Sequence, residues 1–291
     1  MLAFIIAVKH PERSNSYDRV TEILRKTLLS VEAQSNSRFA TIIVCNKRPM
    51  WARDAANRLF IEVDFPPAAP PANIDELHSW SYIDKGAKNA VGLVHAKGFN
   101  PTHVMFVDAD DFVSRRLAEH VSLNACAPGW YFDRGLLYSG QFKIAEVRDR
   151  FWSYCGTSHI LRFDLLPVQL ELNRAISQEF VLKALDRFYV QRILGSHLDF
   201  IPYVSNMGLE LAPLPFFGAV WHADTGENAS RAWWRYSRFG PIWGRTLTRE
   251  ENDEFTIPPE TRKFRDTLLL YGWRARSAIK HKVNAVVSRN V

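Results

Sequence analysis

The chain is 291 residues long, 47% of them hydrophobic and 23% charged, with a net charge of +6. This length suits one large α/β domain, and the hydrophobic fraction excludes an intrinsically disordered chain. From Arg262 to the C-terminus there are eight Lys or Arg and one acid, so the rest of the chain is close to neutral. A basic character confined to one end argues against a nucleic-acid-binding protein.

The cysteines and the N-terminus indicate a cytoplasmic protein. Cys45, Cys126 and Cys155 are far apart and lack metal-finger spacing, as expected for reduced thiols in the cytosol. The apolar run Leu2–Val8 has the length of a strand, and no later window of eighteen apolar residues could span a membrane.

Apolar strands alternate with helical segments over about the first 125 residues. The predicted strands are Leu2–Val8, Ala40–Cys45, Leu59–Val63 and Thr102–Val107. The predicted helices are Arg19–Ala33, Asp84–Lys97 with Gly98 as its C-cap, and a segment from an N-cap at Ser114 to about Asn124. This alternation predicts a layered α/β fold around a parallel sheet.

The second half of the chain is less regular. We predict strands at Trp130–Phe132, Leu136–Phe142 and Leu211–Trp221, and a helix at Gln178–Leu194. We divide the chain into a catalytic domain at 1–228 and a C-terminal helical extension at 229–291, which is rich in aromatic and basic residues.

The acidic cluster Asp108–Asp111 directly follows the apolar run Thr102–Val107. In open α/β sheets, ligands bind beyond the carboxyl ends of the strands, which is where this cluster would lie. Asp108 and Asp110 are two residues apart, so in extended backbone their carboxylates point the same way. Such a pair suits Mg²⁺ or Mn²⁺ bound to a diphosphate. The alternative is a turn of solvated acids.

Four segments, in the same order and spacing, resemble the GT-A glycosyltransferases, close to the family 2 group. They are the first strand, Thr27–Gln34 (TLLSVEAQ), Lys85–Gly98 (KGAKNAVGLVHAKG) and Val107–Asp111 (VDADD). The resemblance implies a Rossmann-like fold with a mixed, mostly parallel sheet flanked by helices. It also implies transfer of a sugar from a nucleotide diphosphate, UDP favoured, to a glycan or lipid-linked saccharide.

The resemblance further implies roles for individual residues. The residues implied for the nucleotide site are Ala7, Lys9, Asn46, Lys85, Lys88, Asp108 and Ala109. Asp108 and Asp110 are implied as metal ligands, with His222 as a late third ligand. Asn46 stands where the family usually has an acid that reads the base, so the base itself stays open. A packed or surface histidine is the alternative for His222.

An inverting transfer needs a carboxylate base to take the proton of the acceptor hydroxyl. Glu179 and Asp199 are the two candidates, although either could be a capping or solvated acid. A retaining mechanism would not require this base.

The C-terminal extension has two predicted roles. Thr225–Asn228 could hinge a lid over the donor, and 262–291 could lie on an anionic membrane surface, such as the inner face of the cell membrane. A plain helical cap is the alternative. Two other functions stay open: a catalytically degenerate sugar-binding protein, and a nucleotidyltransferase. The latter usually has a Gly-rich loop after the first strand, and Lys9–Arg13 contains no glycine.

Overall fold

The computed structural model describes residues 1–67, 74–167, 170, 176–228 and 244–258, with the backbone alone for 74–78. The strands are β1 (Leu2–Ala7), β2 (Phe39–Cys45), β3 (Arg58–Glu62), β4 (His103–Asp108), β5 (Phe112–Val113), β6 (Gly129–Tyr131), β7 (Arg134–Ser139), β8 (Ile144–Asp149), β9 (His159–Arg162), β10 (Ala212–Pro213) and β11 (Ala219–His222). The helices are α1 (Tyr17–Glu32), α2 (Ile74–Ala96), α3 (Leu117–Leu123), α4 (Gln178–Ala184), α5 (Phe200–Ser205) and α6 (Arg249–Phe255), with a π-helical segment at Tyr189–Leu194.

The main sheet has seven strands in the order β10-β6-β9-β4-β1-β2-β3. The central strands β4, β1, β2 and β3 are parallel, and β10 is parallel to β6. Among the described strands of this sheet, only β9 runs antiparallel to its neighbours, β4 and β6. The predicted α/β fold with a mixed, mostly parallel sheet is therefore confirmed.

Helices cover both faces of this sheet, which explains why its central strands are continuously apolar. Side chains alternate along β1, so that Leu2, Phe4 and Ile6 join the core beneath α1 and α3. Ala3 and Ile5 join the opposite core, beneath α2, α4 and α5. A strand that is buried on both faces shows no polar alternation, and this is the pattern of Leu2–Val8.

A second sheet of four strands has the order β5-β11-β7-β8. Phe255 and Ile257, from α6 and the residues after it, pack on one face of this sheet. Arg245 pairs with Ala145 of β8 through two backbone hydrogen bonds of 2.7 and 2.9 Å. The described part of the predicted C-terminal extension therefore packs against the rest of the chain.

Two predicted helix ends are wrong. Gly98 is not a C-cap, because α2 passes into a 3₁₀ turn at Lys97–Phe99 and Asn100 takes the left-handed conformation, with φ 51°. Ser114 is not the N-cap of α3, which begins at Leu117 after Arg116. The Ser114 hydroxyl donates to Glu254 of α6 and accepts from the backbone N–H of Arg116 at 3.1 Å, one residue before α3 begins.

Two longer predicted elements are interrupted. The helix predicted over Gln178–Leu194 is α4 followed by the π-helical segment, with Asp186 between them at φ 64°. The strand predicted over Leu211–Trp221 is two short strands, β10 and β11, which belong to different sheets. The strand predicted at Leu136–Phe142 ends at Ser139, and the structure adds β8 and β9, which no sequence pattern indicates.

The predictions for 229–243 and 259–291, including the lid beyond Asn228 and the membrane-binding tail, concern residues outside the described ranges. No helix in the described part of the chain is both long and apolar enough to cross a bilayer.

Candidate functional site

The site lies at the carboxyl edge of the parallel strands. Ala7 at the end of β1 is paired in register with Asp108 at the end of β4. This register places Ala7, Lys9 and the acidic cluster on one edge of the sheet, as the sequence predicted. Asp108 is partly exposed, whereas the residues preceding it in β4 are buried.

Asp108 forms an ion pair with Lys85, which projects from α2. Burial alone would lower the pKa of Lys85, but the charge and hydrogen bond of Asp108 outweigh it and raise that pKa. Two features of the Lys85–Gly98 motif hold this part of α2 in place. A Cβ on Gly86 would lie 1.9 Å from the carbonyl oxygen of Val190, and the Asn89 amide donates to Leu194 O at 2.7 Å. The motif therefore packs α2 tightly against the π-helical segment.

Asp110 is held by the loop that follows β11. Asn228 Nδ2 donates to Asp110 Oδ2 at 2.8 Å, and Thr225 Oγ1 lies 3.4 Å from the same oxygen. Burial, and next the charge of Asp108, raise the pKa of Asp110 to about 7. The carboxylate is thus desolvated beside a second one, an arrangement that a bound cation would stabilise.

Asp111 points into the protein and is 1% exposed. It accepts hydrogen bonds from Thr157 Oγ1 at 2.6 Å, Cys155 Sγ at 3.2 Å and the backbone N–H of His222 at 3.1 Å. Burial, and next the charge of Asp110, raise the pKa of Asp111 well above its usual value. Asp111 therefore joins β4, the loop before β9, and β11.

Polar side chains of the Thr27–Gln34 motif on α1 form hydrogen bonds with the backbone of the acidic cluster Asp108–Asp111 and of the residues that follow it. Thr27 Oγ1 donates to Ala109 O at 3.0 Å, and Ser30 Oγ accepts from the N–H of Val113 at 3.1 Å. Gln34 contacts the next residues: its Nε2 donates to Ser114 O at 3.0 Å and its Oε1 accepts from the N–H of Ala118 at 2.9 Å. The polar residues of this motif therefore position the segment that carries Asp108–Asp111.

Glu227 is a buried carboxylate that the sequence did not single out. It pairs with Lys9 at 3.0 Å and accepts from the backbone N–H groups of Asn15 and Ser16 at 3.0 and 2.9 Å. Ser16 is the N-cap of α1, so this acid also faces the positive end of the helix. Glu227 thereby fixes the loop that carries Asn228, and it forms an ion pair with the Lys9 ammonium.

Two residues implied for the nucleotide site have internal partners. Asn46 Nδ2 donates to the carbonyl oxygens of Val63 and Phe65, at 3.2 and 2.8 Å. Lys88 is completely buried and donates to Asp84 and to Val8 O, at 2.7 and 2.8 Å. Lys88 therefore supports the end of β1 from within the protein.

The His222 imidazole packs against the rings of Phe112 and Tyr138, with centroid distances of 5.6 and 5.5 Å. Burial lowers the pKa of its imidazole to about 4, and Nε2 lies 3.7 Å from an oxygen of Asp224. Its link to the acidic cluster is its backbone N–H on Asp111. In the described ranges, no three His, Cys, Asp or Glu side chains form a group that could hold a metal ion.

The two candidate bases differ in their surroundings. Glu179 lies on α4 with 75% of its side chain exposed and pairs with Lys183 one turn later. Asp199 is 26% exposed and pairs with Arg192 through two hydrogen bonds of 2.7 and 3.0 Å. Burial lowers the pKa of the neighbouring His197 to about 4, and the charges of Lys85, Asp108 and Asp199 all act on it. Of the two candidates, Asp199 is therefore the one that acts on the same residue, His197, as Lys85 and Asp108 of the acidic site.

Thr157, Glu227 and Asn228 join the site from positions far along the chain. They lie 46 to 218 residues from the partners they hold. The sequence places Glu227 and Asn228 in a possible hinge, but no local pattern marks these three residues as parts of the site, because a single threonine, glutamate or asparagine in a loop is ordinary in composition.

No protein-family model and no curated protein matches the chain. Solved structures with a similar arrangement include S. aureus TarS 1-349, at 14% identity and a TM-score of 0.41, covering 76% of this chain and 60% of that one. TarS 1-349 in complex with UDP-GlcNAc is similar at 14% identity and a TM-score of 0.40, covering 80% and 61%. HddC from Yersinia pseudotuberculosis is similar at 11% and 0.34, covering 76% and 89%. The chain thus spans about 60% of the TarS structures, and its fold class follows from its own strand order and register.

Proposed function

We propose that the chain is a glycosyltransferase of the GT-A type that takes a sugar from a nucleotide diphosphate donor, with UDP favoured. One observation carries the proposal: Asp108 and Asp110 lie at the carboxyl edge of a parallel sheet, where Asp108 pairs with the Lys85 ammonium. Ligands of open α/β sheets bind at this edge, and a diphosphate needs both cations and metal-binding carboxylates. The four-segment resemblance to family 2 glycosyltransferases supports the same function.

The residues present fit a divalent cation held partly by the ligand. Asp108 and Asp110 would be its protein ligands, since Mg²⁺ and Mn²⁺ commonly take one or two carboxylates and complete their shell with phosphate oxygens and water. The raised pKa of Asp110, caused by burial and by Asp108, is a sign of negative charge that a cation would offset. When bound, such a cation neutralises the charge of the departing nucleotide diphosphate. We leave the predicted ligand His222 out of this proposed set, because its imidazole packs on Phe112 and Tyr138 and its Nε2 lies near Asp224.

The chain's own residues supply the rest of the donor site. Lys85 carries a positive charge at the acidic edge, and its ion pair fixes the Asp108 carboxylate. Ala7, Lys9 and Ala109 line the edge at the ends of β1 and β4, and Asn46 stands at the end of β2. We propose Asp199, in preference to Glu179, as the base that would take the acceptor's proton. The charge of Asp199 acts on His197, and so do the charges of Lys85 and Asp108.

A donor screen tests this function. UDP-, GDP- and CMP-sugars are added with Mn²⁺ or Mg²⁺, and thermal shift, calorimetric binding and donor hydrolysis are measured. We expect metal-dependent binding of a UDP-sugar, and loss of it in Asp108→Asn and Asp110→Asn.

The matched control is Asp164→Asn, an exposed acid paired with Arg162 at the opposite end of the sheet. Metal-dependent binding without any transfer or hydrolysis would instead support the degenerate sugar-binding protein. Release of pyrophosphate from a nucleoside triphosphate would support a nucleotidyltransferase. No binding of any nucleotide would refute the donor site.

The acceptor and the location remain proposals. We propose a glycan or lipid-linked saccharide as acceptor, and a cytoplasmic protein that contacts an anionic membrane surface through 262–291. Flotation with liposomes that contain or lack anionic lipid tests the second point, and absence of binding to both would refute it.

A further inference from the structure

We propose that Thr157 is a positioning residue that, together with the buried Asp111, sets the place of the Asp108 carboxylate. This inference rests on the proposed function of Asp108 in metal and donor binding. It also assigns different roles to the three acids of the cluster. Asp108 and Asp110 would face the ligand, whereas Asp111 holds the Cys155–Thr157 loop and β11 in place.

The Thr157 hydroxyl connects two of these acids. It donates to Asp111 Oδ2 at 2.6 Å and accepts from the backbone N–H of Asp108 at 2.9 Å. A hydroxyl has one proton, so the bond to Asp111 leaves a lone pair directed at Asp108. Both distances lie within the normal hydrogen-bonding range, and the Thr157 side chain is completely buried. Thr157 therefore fixes the backbone of Asp108 and cannot itself touch a ligand.

Asp111 anchors this connection on its other side. Its second oxygen accepts from the N–H of His222 in β11, and Cys155 donates to the first. Cys155, Gly156 and Thr157 thus form a short loop clamped to Asp111 at both ends.

Gly156, in the middle of this loop, passes against the Lys85–Asp108 ion pair. A Cβ at this position would lie 2.3 Å from Asp108 Oδ2 and 2.8 Å from Lys85 Nζ. The loop therefore forms one wall of the acidic site, and any shift of Thr157 moves that wall and Asp108 together.

Three variants test the proposal in the full chain. Thr157→Val keeps the shape and removes the hydroxyl, and Thr157→Ser keeps the hydroxyl. Thr41→Val is the matched control, because Thr41 is equally buried, lies in β2 and has a hydroxyl without a partner among the described residues. The readouts are UDP-sugar affinity with and without Mn²⁺, kcat and KM where turnover is found, and the urea unfolding midpoint.

We expect Thr157→Val to weaken Mn²⁺-dependent UDP-sugar binding by about 10- to 100-fold, the range found for residues that orient metal ligands. Binding without Mn²⁺ should change little, and Thr157→Ser and Thr41→Val should stay near the wild type. A folded Thr157→Val with wild-type Mn²⁺-dependent affinity would overturn the inference. So would an equal loss in Thr157→Ser.

If Thr157→Val lowers the unfolding midpoint, Thr157→Ala is measured beside it. Both lack the hydroxyl, so both must lose the metal-dependent part of binding, and a difference between them overturns the inference. Failure of the proposed function looks different: the wild type itself would then bind no nucleotide-sugar with or without Mn²⁺.

Discussion

Substitution of Gly156 by alanine should damage the candidate site while leaving the fold in place. The new Cβ would lie 2.3 Å from Asp108 Oδ2, whereas ordinary contact begins at 3.4 Å, so the carboxylate must move by about 1 Å. Gly156 does not have a positive φ, so alanine is compatible with its backbone. The atoms that must yield are the ends of Asp108 and Lys85, which can move without disturbing the core.

A displacement of about 1 Å at a reacting centre can cost about 100-fold in rate. We therefore expect a loss of that order in turnover, and weaker Mn²⁺-dependent binding of the donor. The assay is donor turnover with calorimetric binding, with urea unfolding as the measure of stability. Gly98→Ala is the matched control, because a Cβ there meets no atom within 4 Å.

The reasoning would be refuted by a Gly156→Ala protein with wild-type turnover and metal-dependent affinity. It would also be refuted by an equal loss in Gly98→Ala, because that variant leaves the acidic site untouched.

Three further predictions concern stability and chemistry. Gly86→Ala should lower the free energy of unfolding by about 1–3 kcal/mol in urea titrations, because its Cβ would overlap the π-helical backbone; an unchanged midpoint would contradict this packing. In a native thiol titration the exposed Cys126 should react first, while Cys45, whose pKa burial raises to about 12, and Cys155 should react only on unfolding. Burial would raise the pKa of Glu227, but its hydrogen bonds lower it below 4.5, so its stabilisation is present above pH 4.5 and lost as the pH falls through the folded value. Glu227→Gln should therefore cost about 1–3 kcal/mol near neutral pH and flatten the acid side of the stability profile, and a profile parallel to the wild type would contradict the buried ion pair.

Local patterns in the sequence determine the central sheet and the place of the acidic cluster. Leu2–Ala7 and Val104–Val107 are apolar on both faces, and burial on both faces is what helices above and below a parallel sheet require. The cluster follows such a strand directly, so its position at the carboxyl edge could be predicted from order alone. The α1 motif could also be located, although the contacts of its polar residues could not.

The antiparallel strand β9 could not be predicted, because its two apolar residues, Ile160 and Leu161, lie between His159 and Arg162 and show neither an apolar run nor an alternation. The end of α4 could not be predicted from the sequence pattern either. Asp186 adopts a left-handed φ inside a pattern that otherwise reads as one amphipathic helix, and packing against α2 decides where that helix stops.

The sequence by itself determined that three carboxylates, Asp108, Asp110 and Asp111, lie together at the C-terminal end of a buried strand. Only the tertiary structure decided that they are not equivalent. Asp108 meets Lys85, Asp110 meets Asn228, and Asp111 turns inward to Thr157. These partners come from helices and loops 23 to 118 residues away. Periodicity and propensity describe a residue and its near neighbours in sequence. The role of a carboxylate depends instead on which hydrogen-bond donor, often distant in sequence, the tertiary fold places next to it.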